Sequence, residues 1–100
     1  MIEIFRSTTF NNWLADLKDR NARVRVLTRL DRLGDGNFGD LKTVGGGVLE
    51  MRIDYGPGYR VYLKRHGDVV VLILAGGNKT TQQKDIALAQ SLAKSWSFKQ

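Results

Sequence analysis

A chain of 100 residues, 42% hydrophobic and 26% charged and without cysteine, has the length and balance of one ordinary globular domain and not of a disordered segment. Disulfides, thiolate metal sites and cysteine nucleophiles are excluded, and a lone histidine, His66, argues against a histidine metal site or a Ser-His-Asp hydrolase. The net charge of +6 favours phosphates of nucleic acid or an acidic protein partner, with a merely solvated cationic face as the plain alternative.

No apolar run approaches the ~20 residues of a membrane span, and MIEIFRSTTF lacks the continuous apolar centre of a secretory signal. A cytoplasmic protein is expected. Ile2 to Phe5 alternates weakly and predicts a short strand that joins a sheet formed later. Ser7, Thr8 and Thr9 are capping residues for a first helix that reaches about Lys18, with Trp13, Leu14 and Leu17 on its apolar stripe. Trp13 is assigned to packing. After a break at Asp19-Arg20-Asn21, a second helix from about Ala22 to Leu33 is expected to bury Val26, Leu27, Leu30 and Leu33 and to turn most of its arginines elsewhere. The two helices make an antiparallel hairpin.

Gly34 to Asp40 has no periodicity and reads as a loop, and Leu41 to Val44 as a short strand. Gly45-Gly46-Gly47 is placed in a hairpin turn. A phosphate cradle would need a Walker lysine and a strand-glycine-helix order that are not there. From Val48 to Tyr55 the residues alternate, Leu49, Met51, Ile53 and Tyr55 against Glu50, Arg52 and Asp54; after Gly56-Pro57-Gly58 the alternation resumes with Tyr59, Val61 and Leu63 against Arg60, Tyr62 and Lys64. A three-residue loop then sets Tyr55 opposite Tyr59, Asp54 opposite Arg60, Arg52 opposite Tyr62 and Glu50 opposite Lys64. His66 falls in a turn. Val69 to Ala75, VVVLILA, is apolar on both faces and is expected to run through the middle of the sheet, covered on both sides.

Thr80 to Gln83 has the spacing of a capping box, with Asp85 in the first turn of a last helix that carries Ile86, Ala89, Ala93 and Trp96 on one stripe. Ser97 to Gln100 is expected to fray. The order strand, helix, helix, three or four strands, helix predicts an α+β domain: an N-terminal strand and helical hairpin packed on a mainly antiparallel twisted sheet, with a C-terminal helix.

The polar side of the central hairpin gathers Arg52, Arg60 and Lys64 with Glu50, Asp54 and Tyr62, and Lys79 follows the interior strand. This set suits a phosphodiester. Arginine binds phosphate oxygens with a planar fork and stabilises the added negative charge of the transition state, and Glu50 could take the proton of a ribose 2′-hydroxyl, all without a metal or cofactor. The same residues would also make ordinary cross-strand ion pairs, Asp54 with Arg60 and Glu50 with Lys64.

The run YGPGYRVY, an apolar strand ending in LAGGNK, the following TTQQKDIALA and the earlier GNFGDLKTVGGGVLEMRI together resemble the addiction-module killer proteins of the RelE/ParE toxin superfamily, in its HigB-like branch. The resemblance covers nearly the whole chain. It implies a type II toxin held inactive by a cognate antitoxin, expected to be a helix-turn-helix protein. In RelE-like members such a toxin acts as a ribosome-dependent mRNA endonuclease. It further implies Arg52, Arg60 and Lys79 as the groups that hold the scissile phosphate and Glu50 as the base. Arg23, Arg25, Arg29, Lys42 and Lys64 would contact RNA of message and ribosome, and the free toxin would be a monomer. One departure stands out: RelE-like nucleases carry a tyrosine or histidine near the start of the final helix, where this chain has Gln82, Gln83, Lys84 and Asp85. Tyr62 is a substitute, Tyr59 belonging to the core by alternation. ParE-like members share the fold, lack that nuclease set and poison DNA gyrase, so a non-enzymatic gyrase poison is the second reading. An inactive module that only binds its antitoxin is the third.

Overall fold

The structure, a computed structural model, describes residues 2–96; the frayed tail expected at 97–100 lies outside them. Strand β1 (Glu3–Arg6) leads into α1 (Thr8–Asp16), α2 (Arg20–Gly34), the strands β2 (Leu41–Thr43), β3 (Leu49–Ile53), β4 (Tyr59–His66) and β5 (Val70–Asn78), a 3-10 turn (Lys79–Thr81) and α3 (Gln82–Ser95). The strands form one sheet in the order β1-β5-β4-β3-β2, in which β1 runs parallel to β5 and every other pair is antiparallel. This is the expected α+β arrangement. One detail differs: β5 is interior, but β4 holds the centre, because β3 and β2 add two strands beyond it and β1 only one beyond β5.

Side-chain caps start α1 and α2 where the sequence placed a polar residue. Ser7 Oγ accepts from the Phe10 amide at 2.9 Å, and Asp19 Oδ1 accepts from Asn21 and Ala22 at 2.9 and 3.2 Å. Both helices cover one sheet face. Phe10, Leu14, Val26, Leu30 and Leu33 pack there against Met51, Ile53, Val61, Leu63 and Ile73, each such side chain contributing about 1.5–3 kcal/mol of burial. Leu27 does not join them. Ala22, Val26, Leu30 and Leu33 make the buried stripe, and Leu27, one position past it, is 40% exposed. α3 covers the other face with Ala89 and Ala93 over Val48, Tyr62, Leu72, Leu74 and Ala75, and Ile86 and Trp96 pack at the margin.

The central hairpin is shifted from its expected register. Ile53 pairs with Tyr59, Arg52 with Arg60, Met51 with Val61 and Glu50 with Tyr62, so the connection is the five-residue run Asp54 to Gly58. Two bonds close it, from the Tyr55 amide to the Ile53 carbonyl at 2.9 Å and from the Gly58 amide to the Tyr55 carbonyl at 3.1 Å. Gly56 and Gly58 take the left-handed conformations this needs, with φ of 56° and 80°. The expected pairs Asp54 with Arg60 and Glu50 with Lys64 do not form across the ladder. His66 ends β4 opposite Val70, and the turn itself begins at Gly67.

Between β4 and β5 the ladder slips at Tyr62/Leu63: Tyr62 faces Ala75 and Leu63 faces Ile73, leaving Leu74 as the extra residue of a bulge. The Ser7 hydroxyl donates to the Leu74 carbonyl at 2.6 Å. Past the bulge, Gly76 faces α1 and Gly77 faces α3. A Cβ on Gly76 would lie 2.3 Å from Trp13 Cε3, and one on Gly77 would lie 1.7 Å from Asp85 Oδ2. Trp13 therefore packs as expected, flat on bare backbone, with its ring tilted on Phe10 at 5.8 Å and edge-on to Tyr59 at 6.2 Å between centroids.

Candidate functional site

Alternation puts Glu50 and Arg52 of β3 and Arg60 and Tyr62 of β4 on the face that α3 covers. At Glu50, Arg60 and Tyr62 the face is not solvated. Glu50 is 1% exposed, Arg60 6% and Tyr62 0%. A carboxylate and a guanidinium this deep need partners, and Glu50 Oε2 collects them: Gln82 Nε2 donates to it at 2.8 Å and Tyr62 Oη at 3.2 Å, while Arg60 Nε stands 3.6 Å away. That last separation is an ion pair without a hydrogen bond. The Nε of Arg60 has no hydrogen-bond partner, whereas its NH1 donates to the Gly58 carbonyl at 3.0 Å.

The start of α3 is built to reach this cluster. Asn78 Oδ1 accepts from the Thr80 and Thr81 amides at 2.9 and 3.3 Å, and Thr81 Oγ1 returns a contact to the Asn78 amide at 3.2 Å. The capping box is thus Asn78 to Thr81 rather than Thr80 to Gln83, because a 3-10 turn intervenes before α3. That turn brings Gln82 over Glu50 and sets Asp85, held by the Thr81 hydroxyl, against Gly77.

The nine residues singled out in the sequence separate into groups. Arg52 lies opposite Arg60 and is exposed; Lys79 is exposed at the turn, where a Cβ on Gly58 would be 3.5 Å from Arg60 NH1 and 3.8 Å from Lys79 Cβ. Glu50, Arg52, Arg60 and Lys79 are therefore neighbours. Lys42, opposite Glu50 on β2, and the half-buried Lys64 share the α3 face. The α2 arginines are elsewhere. Arg23 NH1 donates to the Leu17 carbonyl, and Arg25 and Arg29 border a groove toward the end of β3. Among the described residues no cluster of three or more His, Asp or Glu could hold a metal, and no helix is long and apolar enough to cross a membrane.

Gln82 and Asp85 are the residues that sequence reasoning did not place in the cluster. A signal was available: a strand apolar on both faces needs cover on both, so the polar residues of its neighbours on the second face must lie under that cover as well.

Tyr62 senses the enclosure. Burial first, then the charge of Glu50 and its hydrogen bond, then Asp85, raise its phenol above the ordinary tyrosine value, with Arg60 opposing. It is therefore a neutral donor to Glu50 at physiological pH. A group whose folded value is raised stabilises fully below its unfolded value and loses that stabilisation as pH rises. Relative to Tyr62→Phe, the protein is expected to lose about 1.4 kcal/mol of unfolding free energy per pH unit above about pH 10. Urea unfolding of both proteins across that range measures it, and parallel curves would show that Tyr62 ionises freely in the fold.

No protein-family profile matches the chain. It is 50% identical over 92 residues to an uncharacterized protein of Haemophilus influenzae, across 92% of this chain and 93% of that one. Two solved structures share its fold at 13% identity. One is the intact E. coli RelBE toxin-antitoxin complex, with a TM-score of 0.63 over 78% of this chain and 96% of that chain. The other is an arginine double mutant of the E. coli toxin RelE in the free state, with a TM-score of 0.66 over 86% and 94%.

Proposed function

The chain belongs to one family with the uncharacterized Haemophilus influenzae protein and has the RelE fold, and from that premise we propose that it is the toxin of a type II toxin-antitoxin system, a ribosome-dependent mRNA endonuclease of the cytoplasm. A cognate antitoxin, the ribosome and mRNA would be its partners. The observation that carries the reading is the Arg60 guanidinium, oriented by the Gly58 carbonyl and by buried Glu50, with exposed Arg52 and Lys79 beside it. Three cations at adjoining positions on one face suit the charge that builds on a phosphate during attack by the neighbouring 2′-hydroxyl. Glu50, enclosed and already accepting from Gln82 and Tyr62, is assigned to hold Arg60 rather than to act as the base. Lys42 and Lys64, on the same face, would contact flanking phosphates.

Arg60 is a poor site for a first test, since its removal disturbs a buried cluster. Arg52→Ala and Lys79→Ala alter exposed side chains. Each is expected to lower cleavage about 10²-fold, in the range for loss of one transition-state donor, with unchanged urea midpoints. Mapping of mRNA 5′ ends with purified ribosomes reads this. Messages that stay intact when the protein arrests growth would reject the nuclease.

One observation favours a second reading. The carboxylate and phenol nearest Arg60 are both enclosed, and Gln82 and Asp85 stand where a proton donor is expected. A gyrase poison would need no donor, and loss of supercoiling by purified gyrase would identify it.

A further inference from the structure

A helix is favoured by acidic residues in its first turn and basic ones in its last, where they complement its dipole. On one stripe α2 inverts this. Arg20 is its first residue, Asp31 lies in its last turn, and no acidic residue stands in the first turn. Both side chains are exposed. Neither makes an ion pair among the described residues, where Arg60 with Glu50 is the one pair. Between them the same stripe carries Val24 and Leu27, 55% and 40% exposed. Of the exposed large apolar residues Phe5, Val24, Leu27, Val69 and Leu88, these two alone share an element.

Arg20, Val24, Leu27 and Asp31 are spaced by four, three and four residues, the repeat of a coiled-coil seam. The seam is about 16 Å long and lies roughly 135° round the helix from the buried Ala22, Val26, Leu30 and Leu33, so it points away from the sheet. Arg25, Arg29 and Arg32 fall about as far from it on the other side and stay out of it. At its flanks Arg23 NH1 donates to the Leu17 carbonyl, and the Thr28 hydroxyl donates to the Val24 carbonyl at 2.8 Å. We propose that α2 is a self-association helix, which pairs antiparallel with α2 of a second copy about a two-fold axis level with the Arg25–Val26 peptide. The axis sets Val24 against Leu27 and Arg20 against Asp31 of the other copy, each contact occurring twice. Charges that oppose the dipole of one helix thus meet their opposites on the next. The seam reads the same from either end, as an isologous contact requires and an unrelated partner does not. Four apolar side chains and two ion pairs fall short of the ~1,200–2,000 Å² buried in a stable complex. The pairing is therefore weak, with a Kd on the order of 10⁻⁴ M, and it departs from the monomer that the family resemblance implies. α3 and the Arg60 cluster lie on the opposite sheet face and stay outward in both copies. The inference is independent of the nuclease reading.

The test is sedimentation equilibrium of the full chain from about 10 μM to about 1 mM, a range that brackets the expected Kd. The parent should pass from monomer to dimer across it. Arg20→Asp and Asp31→Arg each set like charges against one another at both ends of the seam, and each should weaken association more than about tenfold. Each also gives its end of α2 the charge that the dipole favours, so urea midpoints should hold or rise and lost pairing would not reflect a lost helix. An equimolar mixture of the two variants restores opposite charges at both ends and should associate within about threefold of the parent. A parent that stays monomeric at the top of the range would overturn the proposal and leave the stripe to a different protein. A dimer that persists in both single variants would place the contact elsewhere and overturn it as well, and so would a mixture whose two variants stay apart.

Discussion

Glu50→Leu is expected to destabilise the fold by about 3–5 kcal/mol, the cost of leaving a buried charge without its partner. Arg60 is 6% exposed, its Nε has no hydrogen-bond acceptor, and its nearest counter-charge is Glu50 Oε2 at 3.6 Å. Removing the carboxylate also strands the Tyr62 hydroxyl and the Gln82 amide. Adding Arg60→Met should recover part of the loss, because a buried pair replaced by apolar groups of similar volume is often neutral or better. Urea unfolding of the two single variants and the double variant measures this. Strictly additive losses would mean that Glu50 and Arg60 are uncoupled, and the cluster would not be the keystone of the site.

Gln82→Glu tests the contact between α3 and the sheet. The amide donates to Glu50 Oε2 at 2.8 Å; a carboxyl introduced at position 82 can keep that contact only by retaining its proton, since two ionised carboxylates cannot share so short a distance. Its folded pKa would therefore lie above the unfolded glutamate value of about 4.3. The stabilisation is then present at low pH and lost as pH rises, about 1.4 kcal/mol for each unit of the shift. Stability of the variant should fall between about pH 5 and 8 relative to the parent. Cleavage should fall with it, as Arg60 loses its orientation, and should return at the acid end. Gln82→Ala, which lacks the titrating group, should show no such slope. A variant profile parallel to the parent's would refute the contact.

Much of this arrangement was legible in the sequence, and the reasons differ by element. Period-2 alternation survived an error in register, because the hairpin slipped by an even number of positions and every side chain kept its face. Ser7 capped a helix as its type suggests, and Ala89 and Ala93 packed as their spacing suggests. The burial of Glu50, Arg60 and Tyr62 was not legible locally. It depends on α3, whose first residue is 32 positions from Glu50, and a charged alternating strand looks the same whether water or a distant helix lies above it. Leu27 illustrates the converse: on a helix an apolar residue one place off the stripe is indistinguishable by type from one on it. The α2 arginines read correctly as a cationic segment, but only the fold separates Arg23, which ties down the Leu17 carbonyl, from Arg25 and Arg29, which face the groove.

Gly76 and Gly77 leave only the thickness of one backbone between Trp13 of α1 and Asp85 of α3. Synthesis proceeds from the N-terminus, so the Trp13 side of this junction exists long before the Asp85 side. Until the segment from Asn78 to Asp85 has emerged, Glu50 lacks Gln82, Arg60 lies on an uncovered sheet, and Lys79 has no turn to present it. On the function proposed above, a growing chain that has not yet placed Asn78 to Asp85 carries no complete working surface.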